Sequence, residues 1–146
     1  MGIVHGCVNS HSILLRYSKE AGQLVASLGE VGMWTQSMLN DDRLRWIAPE
    51  VIASDGAMGP SFASDVWSIG MLMEEMLTGK VPFQSKGNPT AITVAVTLRQ
   101  FESHRFQVDV PGYHDLIEQC RLSVPEERPF ITSILSSLMD MNSSAE

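Results

Sequence analysis

Polar and apolar positions are arranged in two different ways along this chain, and the change falls near Ser64. Before it, Ile13-Leu14-Leu15 and Leu24-Val25-Ala26 are short apolar runs on either side of a polar connection containing Gly22, which predicts a β-hairpin. Met33 to Arg45 follows neither a period of 2 nor one of 3.6, so a loop is expected there, anchored to the core by Trp46 and Ile47. From Ser64 onward the spacing is helical. Ser64 reads as an N-cap, Asp65 suits the positive helix end, and Gly79 suits a stop after Thr78, giving a helix of about four turns. Its apolar set, Val66, Trp67, Ile69, Leu72, Met73, Met76 and Leu77, covers most of the circumference and predicts a largely buried central helix, with polarity confined to Glu74 and Glu75.

Pro82 and Pro89 punctuate a loop, after which Ala91 to Phe101 is expected to be helical. Pro111-Gly112 breaks the chain, Tyr113 to Leu122 reads as a helix, and Pro129, in a first-turn position, opens a last helix through Met139. There is no internal repeat, and Asn142 to Glu146 reads as a disordered tail. The methionines Met71, Met73 and Met76 lie at core spacing and read as packing residues.

Composition narrows the function classes. A chain of 146 residues with 44% hydrophobic and 18% charged residues fits one globular domain with a sizeable core. A net charge of −7 removes any general attraction to nucleic acid or anionic membrane, so no nucleic-acid partner is expected. Cys7 and Cys120 are too few for a disulfide framework, which favours a reducing, cytoplasmic setting. No stretch approaches ~18 consecutive apolar residues, so a soluble chain without membrane insertion is expected. The first residues carry no secretory or myristoylation pattern.

Three motifs carry the chemistry. His5-Gly6-Cys7-Val8-Asn9-Ser10-His11-Ser12 precedes the first apolar run, Leu28-Gly29-Glu30-Val31-Gly32 follows the second, and Trp46-Ile47-Ala48-Pro49-Glu50 is joined by Ser64-Asp65-Val66-Trp67-Ser68-Ile69-Gly70 and by Arg128 within Cys120 to Pro129. Together they resemble the C-terminal lobe of a protein kinase, over about residues 2 to 140. The resemblance implies a mainly α fold with a small β-hairpin at its N-terminal side, a partial kinase domain over residues 1–140, and a tail over 141–146. No Gly-rich loop, lysine strand or partner glutamate precedes the hairpin, so the N-lobe is expected to be absent.

In that family His5 keeps its place, but Cys7 stands where a catalytic aspartate accepts the substrate hydroxyl proton, and Ser12 where an asparagine binds the second magnesium. A thiol with a reference pKa of about 8.5 is mostly protonated at neutral pH, and losing a positioned base removes ~10²–10⁴ in rate. Asn9 replaces a lysine, and Gly6 the arginine that reads a phosphorylated loop, which leaves Thr35 and Ser37 without that partner. Glu30 occupies the magnesium-ligand position of Asp-Phe-Gly with one extra methylene. Val31 replaces its phenylalanine, and Gly32 keeps the backbone freedom. A hydrogen-bonding role for Glu30 at the hairpin end is preferred to metal binding. Glu50 and Arg128 are expected to form a buried ion pair, and Asp65 to hold the loop backbone.

Trp46 resembles tyrosine kinases and tyrosine-kinase-like enzymes, whereas Asp42-Arg43 and Leu44 depart from both. His5, Cys7 and His11 as zinc ligands would lack a fourth donor, and a buried structural thiol is preferred at Cys7 to a nucleophile. The reading is therefore a pseudokinase-like interaction or scaffolding module in signalling, with protein partners and no cofactor. Mg-ATP enters only if an upstream N-lobe exists. The alternatives are an active serine/threonine or tyrosine kinase whose nucleotide-binding half lies upstream of Met1, and a truncated product without a function of its own.

Overall fold

A computed structural model describes residues 2–20, 22–102 and 110–143. The two predicted apolar runs form an antiparallel hairpin of β1 (Ile13–Ser18) and β2 (Gln23–Leu28), each longer than its run. Pairing of Ile13 with Leu28, Leu15 with Ala26 and Tyr17 with Leu24 puts six apolar residues on one face of the ribbon. That face is open: Leu15, Tyr17 and Leu24 all keep more than half of their surface in solvent. Five α-helices follow among the described residues: α1 (Pro49–Ala53), α2 (Phe62–Thr78), α3 (Pro89–Thr97), α4 (Tyr113–Cys120) and α5 (Ile131–Ser143).

Helix α2 is the centre of the molecule and divides its apolar surface between two cores. Trp67 and Met71, four residues apart, face Leu44, Trp46, Ile47, Phe83, Ile92 and Val96. Val66, Met73 and Leu77 lie on the other side against Leu116, Ile117, Cys120 and Ile134. The loop over residues 33–48 is tied in by Leu44, Trp46 and Ile47, which are almost entirely buried. It contains two 3₁₀ turns, Gln36–Asn40 and Asp42–Trp46, that periodicity alone did not reveal.

Several boundaries differ from expectation. The N-cap of α2 is Ser61, not Ser64. Ser61 and Ser64 form a reciprocal capping box in which each hydroxyl accepts the other's backbone N–H, so Ser64 is the third helical residue. Met76, counted among the buried apolar set, is 62% exposed. Helix α3 begins two residues early because the Asn88 side chain accepts Ala91 N and Pro89 suits the first turn. It ends at Thr97, and Phe101 leaves the helical path to pack against Phe83 and Trp67. Helix α4 stops at Cys120 rather than Leu122, and α5 starts at Ile131 and runs to Ser143. Met141, Asn142 and Ser143 therefore stand in a helix rather than in the expected tail, whose remaining residues 144–146 lie outside the described residues.

Gly79 ends α2 in the left-handed region at φ 66°, as its composition suggested. Gly70 is a second glycine that the fold demands. A Cβ there would sit 2.7 Å from Cys120 Cβ and 3.1 Å from Arg121 Cγ, so it sets how closely α2 and α4 approach. On an open helix Gly→Ala stabilises by roughly 0.5–1 kcal/mol. At Gly70 the expected sign is reversed: Gly70→Ala should destabilise by about 1–3 kcal/mol through overpacking, measured as a lower urea midpoint.

Candidate functional site

The loop over residues 5–12 lies between the start of α2 and the end of the hairpin, and its polar atoms are engaged from both sides. Asp65, in the first turn of α2, accepts His5 N through Oδ2 at 2.7 Å and Gly6 N through Oδ1 at 2.9 Å. Burial pushes its carboxyl above the ordinary value, and the two backbone bonds pull the other way. The His5 ring reaches Gly29 O with Nε2 at 2.8 Å, and Cys7 N lies 3.4 Å from its Nδ1. This network assigns the proton to Nε2, leaving Nδ1 as the acceptor. Gly32 N donates to His5 O at 3.0 Å and Gly29 N to Ser12 O at 2.8 Å, so the segment after β2 is stitched to the loop by main-chain bonds.

Asn9 organises the rest of the loop. Its Oδ1 accepts His11 N at 2.9 Å and Ser12 N at 3.2 Å, while its Nδ2 donates to Cys7 O at 2.8 Å. The Ser12 hydroxyl donates to Asn9 O at 2.8 Å and accepts Asn9 N at 3.1 Å. This is a capping box around the short 3₁₀ turn Ser10–Ser12, with Asn9 and Ser12 each 1% exposed. The spacing Asn-x-x-Ser carried that signal in the sequence, but Asn9 was read only as a replaced lysine.

Cys7 is buried, with its sulfur 3.7 Å from Arg43 O and from Asn9 Nδ2. Burial pushes its thiol up to about 11, against smaller opposing effects of Asn9 and Arg43. Cys120, buried in the second core, is likewise raised to about 11 by burial. At pH 7 a thiol of that acidity is ionised only to ~10⁻⁴, which removes it as a base or nucleophile. Neither cysteine should therefore be alkylated by iodoacetamide in the native protein at pH 7.5, and both should be modified in urea, as read by intact mass.

Glu30 stands at φ 58° with its side chain in solvent. The turn is closed by its carbonyl, which accepts Met33 N at 3.2 Å, so the hydrogen bond at the hairpin end comes from its main chain rather than from the expected side chain. Its charge acts on Arg43, whose guanidinium is bound to Asp41 through Nε at 3.1 Å and 3.0 Å. Arg43 holds the Asp41 carboxyl below the ordinary value. No hydrogen bond among the described residues joins Cys7, Ser12 and the Glu30 carboxylate. Nor do any three His, Cys, Asp or Glu side chains among them group to hold a metal ion, including His5, Cys7 and His11.

Away from the loop, Arg128 reaches Glu50 with two bonds of 2.7 Å and 2.8 Å and also donates to Ala63 O and Leu122 O. Two further anchors were not foreseen. Trp46 Nε1 donates to Glu75 at 3.1 Å, and Arg45 donates to the carbonyls of Pro82, Phe83 and Lys86, fixing the turn before α3. No helix among the described residues is long and apolar enough to cross a membrane. Across residues 1–138 the sequence matches the family described as protein tyrosine and serine/threonine kinase.

Proposed function

Starting from a chain that belongs to the protein tyrosine and serine/threonine kinase family, we propose a catalytically impaired, pseudokinase-type module that works by binding other proteins. The observation that carries this reading is the closure of the loop over residues 5–12 upon itself. Phosphoryl transfer needs a base near the accepting hydroxyl and oxygen ligands for magnesium that bridges the phosphates. At the base position Cys7 is a neutral, buried thiol bonded toward Arg43 O. At one ligand position the buried Ser12 hydroxyl both donates to and accepts from the Asn9 backbone, which holds it in the loop's own capping box and leaves a single lone pair on a short side chain. Glu30 alone retains a carboxylate, exposed and without a second ligand bonded to it.

These residues do not fit a magnesium-held nucleotide phosphate, because Mg²⁺ requires several oxygen donors in near-octahedral array. What the fold keeps is the framework: Asp65 under the loop backbone and Arg128 against Glu50. A kinase-like fragment with its framework intact and with Cys7 and Ser12 turned inward supports signalling by contact, in a cytoplasmic setting and without nucleic acid. The test is transfer from γ-labelled Mg-ATP to a mixed peptide substrate pool. No transfer above a no-protein control is expected, and transfer that disappears in Glu30→Ala would overturn the proposal.

A further inference from the structure

The hairpin ladder fixes which main-chain groups of β2 face away from β1. Gly29 N donates to Ser12 O at 2.8 Å, so the Ser12 and Gly29 pair, one step before Ile13 and Leu28, is a hydrogen-bonded one. Bonded and non-bonded pairs alternate along an antiparallel ladder. Ile13 and Leu28, Leu15 and Ala26, and Tyr17 and Leu24 are therefore the non-bonded pairs, and their N–H and C=O groups point outward. Ile13 shows this directly, since its N–H turns away from β2 to Ser10 O. On β2 the outward set is Leu24, Ala26 and Leu28, and no strand lies beside them among the described residues.

We propose that this edge pairs with the β2 edge of a second copy of the chain, giving an antiparallel four-stranded sheet with its two-fold axis at Ala26. The register is self-complementary. Leu24 faces Leu28 of the second copy, Ala26 faces Ala26, and Leu28 faces Leu24, and each pair exchanges both of its main-chain bonds. The Leu24 and Leu28 side chains, 66% and 47% exposed, then meet across the axis on one face. Natural edges are guarded by charge, proline or a bulge, but Gln23–Leu28 has no charged residue, no proline and an unbroken register. The guarded edge is β1, which carries Arg16 and has given up the Ile13 N–H. A two-stranded ribbon is marginal by itself, whereas further strands along an apolar face sustain it. Charge favours this end of the molecule too. Arg16 and Lys19 against Glu20 give residues 13–28 a net +1, so the remainder of the chain carries −8 and two copies repel least where their hairpins meet.

Sedimentation velocity of the full chain in ~0.15 M sodium chloride, where repulsion is screened beyond ~8 Å, resolves the species present. A dimer of twice 16.1 kDa should grow in between about 10 μM and 1 mM, the range of a small interface. Over the same range, hydrogen exchange read by NMR should slow at the amides of Leu24, Ala26 and Leu28, in proportion to the dimer present, and stay fast at Leu15 and Tyr17. Ala26→Pro removes an outward N–H and leaves the ladder to β1 intact, and Ala26→Lys sets two like charges across the axis. Each should weaken the dimer at least about tenfold. Leu15→Lys adds the same charge to the same face but on β1, so it should remove any heavier species formed by stacked faces and leave the dimer in place. A monomer throughout, slow exchange at β2 that ignores concentration, or a dimer that survives both Ala26 variants would overturn the proposal. Loss of the dimer itself in Leu15→Lys would do the same, because the ribbons would then meet face to face or through β1.

Discussion

Arg128→Met is expected to cost about 3–5 kcal/mol, a fifth or more of the ~5–15 kcal/mol that holds a domain of this size together. The Arg128 side chain is fully buried at the head of its ion pair, and Glu50 retains 22% exposure. Its guanidinium joins α1 through Glu50, the start of α2 through Ala63 O, and the turn after α4 through Leu122 O, and it lies 5.2 Å over the Trp67 ring. Removing it takes a donor from two carbonyls and from the partly exposed Glu50 carboxylate. The reverse change, Glu50→Gln, should cost a comparable amount, because the buried charge would then be the cation. The double variant Arg128→Met/Glu50→Leu should recover part of the loss by removing the stranded charge. Urea unfolding followed by circular dichroism gives all three values. A loss below about 1 kcal/mol in Arg128→Met would show that the pair is ornamental.

Gly6→Arg, which restores the residue usual in the family, is expected to damage the fold rather than improve the site. Gly6 sits at φ 102°, outside the regions open to L-residues, and a Cβ there would lie 2.8 Å from Trp34 Cβ. Backbone strain of roughly 1–3 kcal/mol adds to overpacking of roughly 1–3 kcal/mol, so about 2–6 kcal/mol is the expected loss. Gly32 provides the control. It also has positive φ, at 71°, but no atom lies within 4 Å of its missing Cβ, and Gly32→Ala should cost only ~1–2 kcal/mol. The difference between Gly6→Ala and Gly32→Ala isolates the close contacts at Gly6, chiefly that with Trp34. Equal losses in urea would show that Trp34 gives way, and the loop would then be open to re-engineering.

How far the sequence could be read depended on whether the deciding interaction was local. Helix α2, its stop at Gly79 and the anchoring of Trp46 and Ile47 followed from spacing, because each rests on a few neighbouring residues. The start of α2 was misread since Ser61 and Ser64 are both capping residues three apart, and the exposed Phe62 hid the first helical turn. Phe101 was placed in α3 because nothing near it announces the rings of Phe83 and Trp67 that draw it away. At the site, motif spacing located His5, Cys7, Ser12 and Glu30 but not their surroundings. The bond from Asp65 to His5 spans sixty residues of sequence, and the inward turn of the Ser12 hydroxyl depends on a 3₁₀ geometry. Arg121 shows the same limit. It is 3% exposed, bonded to Glu74 and Glu118 and 4.0 Å over the Phe101 ring, and a hydropathy pattern gives no warning of an arginine in a core.

The ribbon face of Ile13, Leu15, Tyr17, Leu24, Ala26 and Leu28 bears on how the protein behaves in solution. Two copies each carrying −7 repel, and at low ionic strength that repulsion reaches tens of ångströms and keeps these uncharged faces apart. At ~0.1 M salt the reach shrinks to ~10 Å, and the apolar face is then free to meet its like. Light scattering should therefore rise with added sodium chloride while circular dichroism stays constant. The usual remedy for a charged protein that precipitates would here be its cause, and storage belongs in dilute buffer.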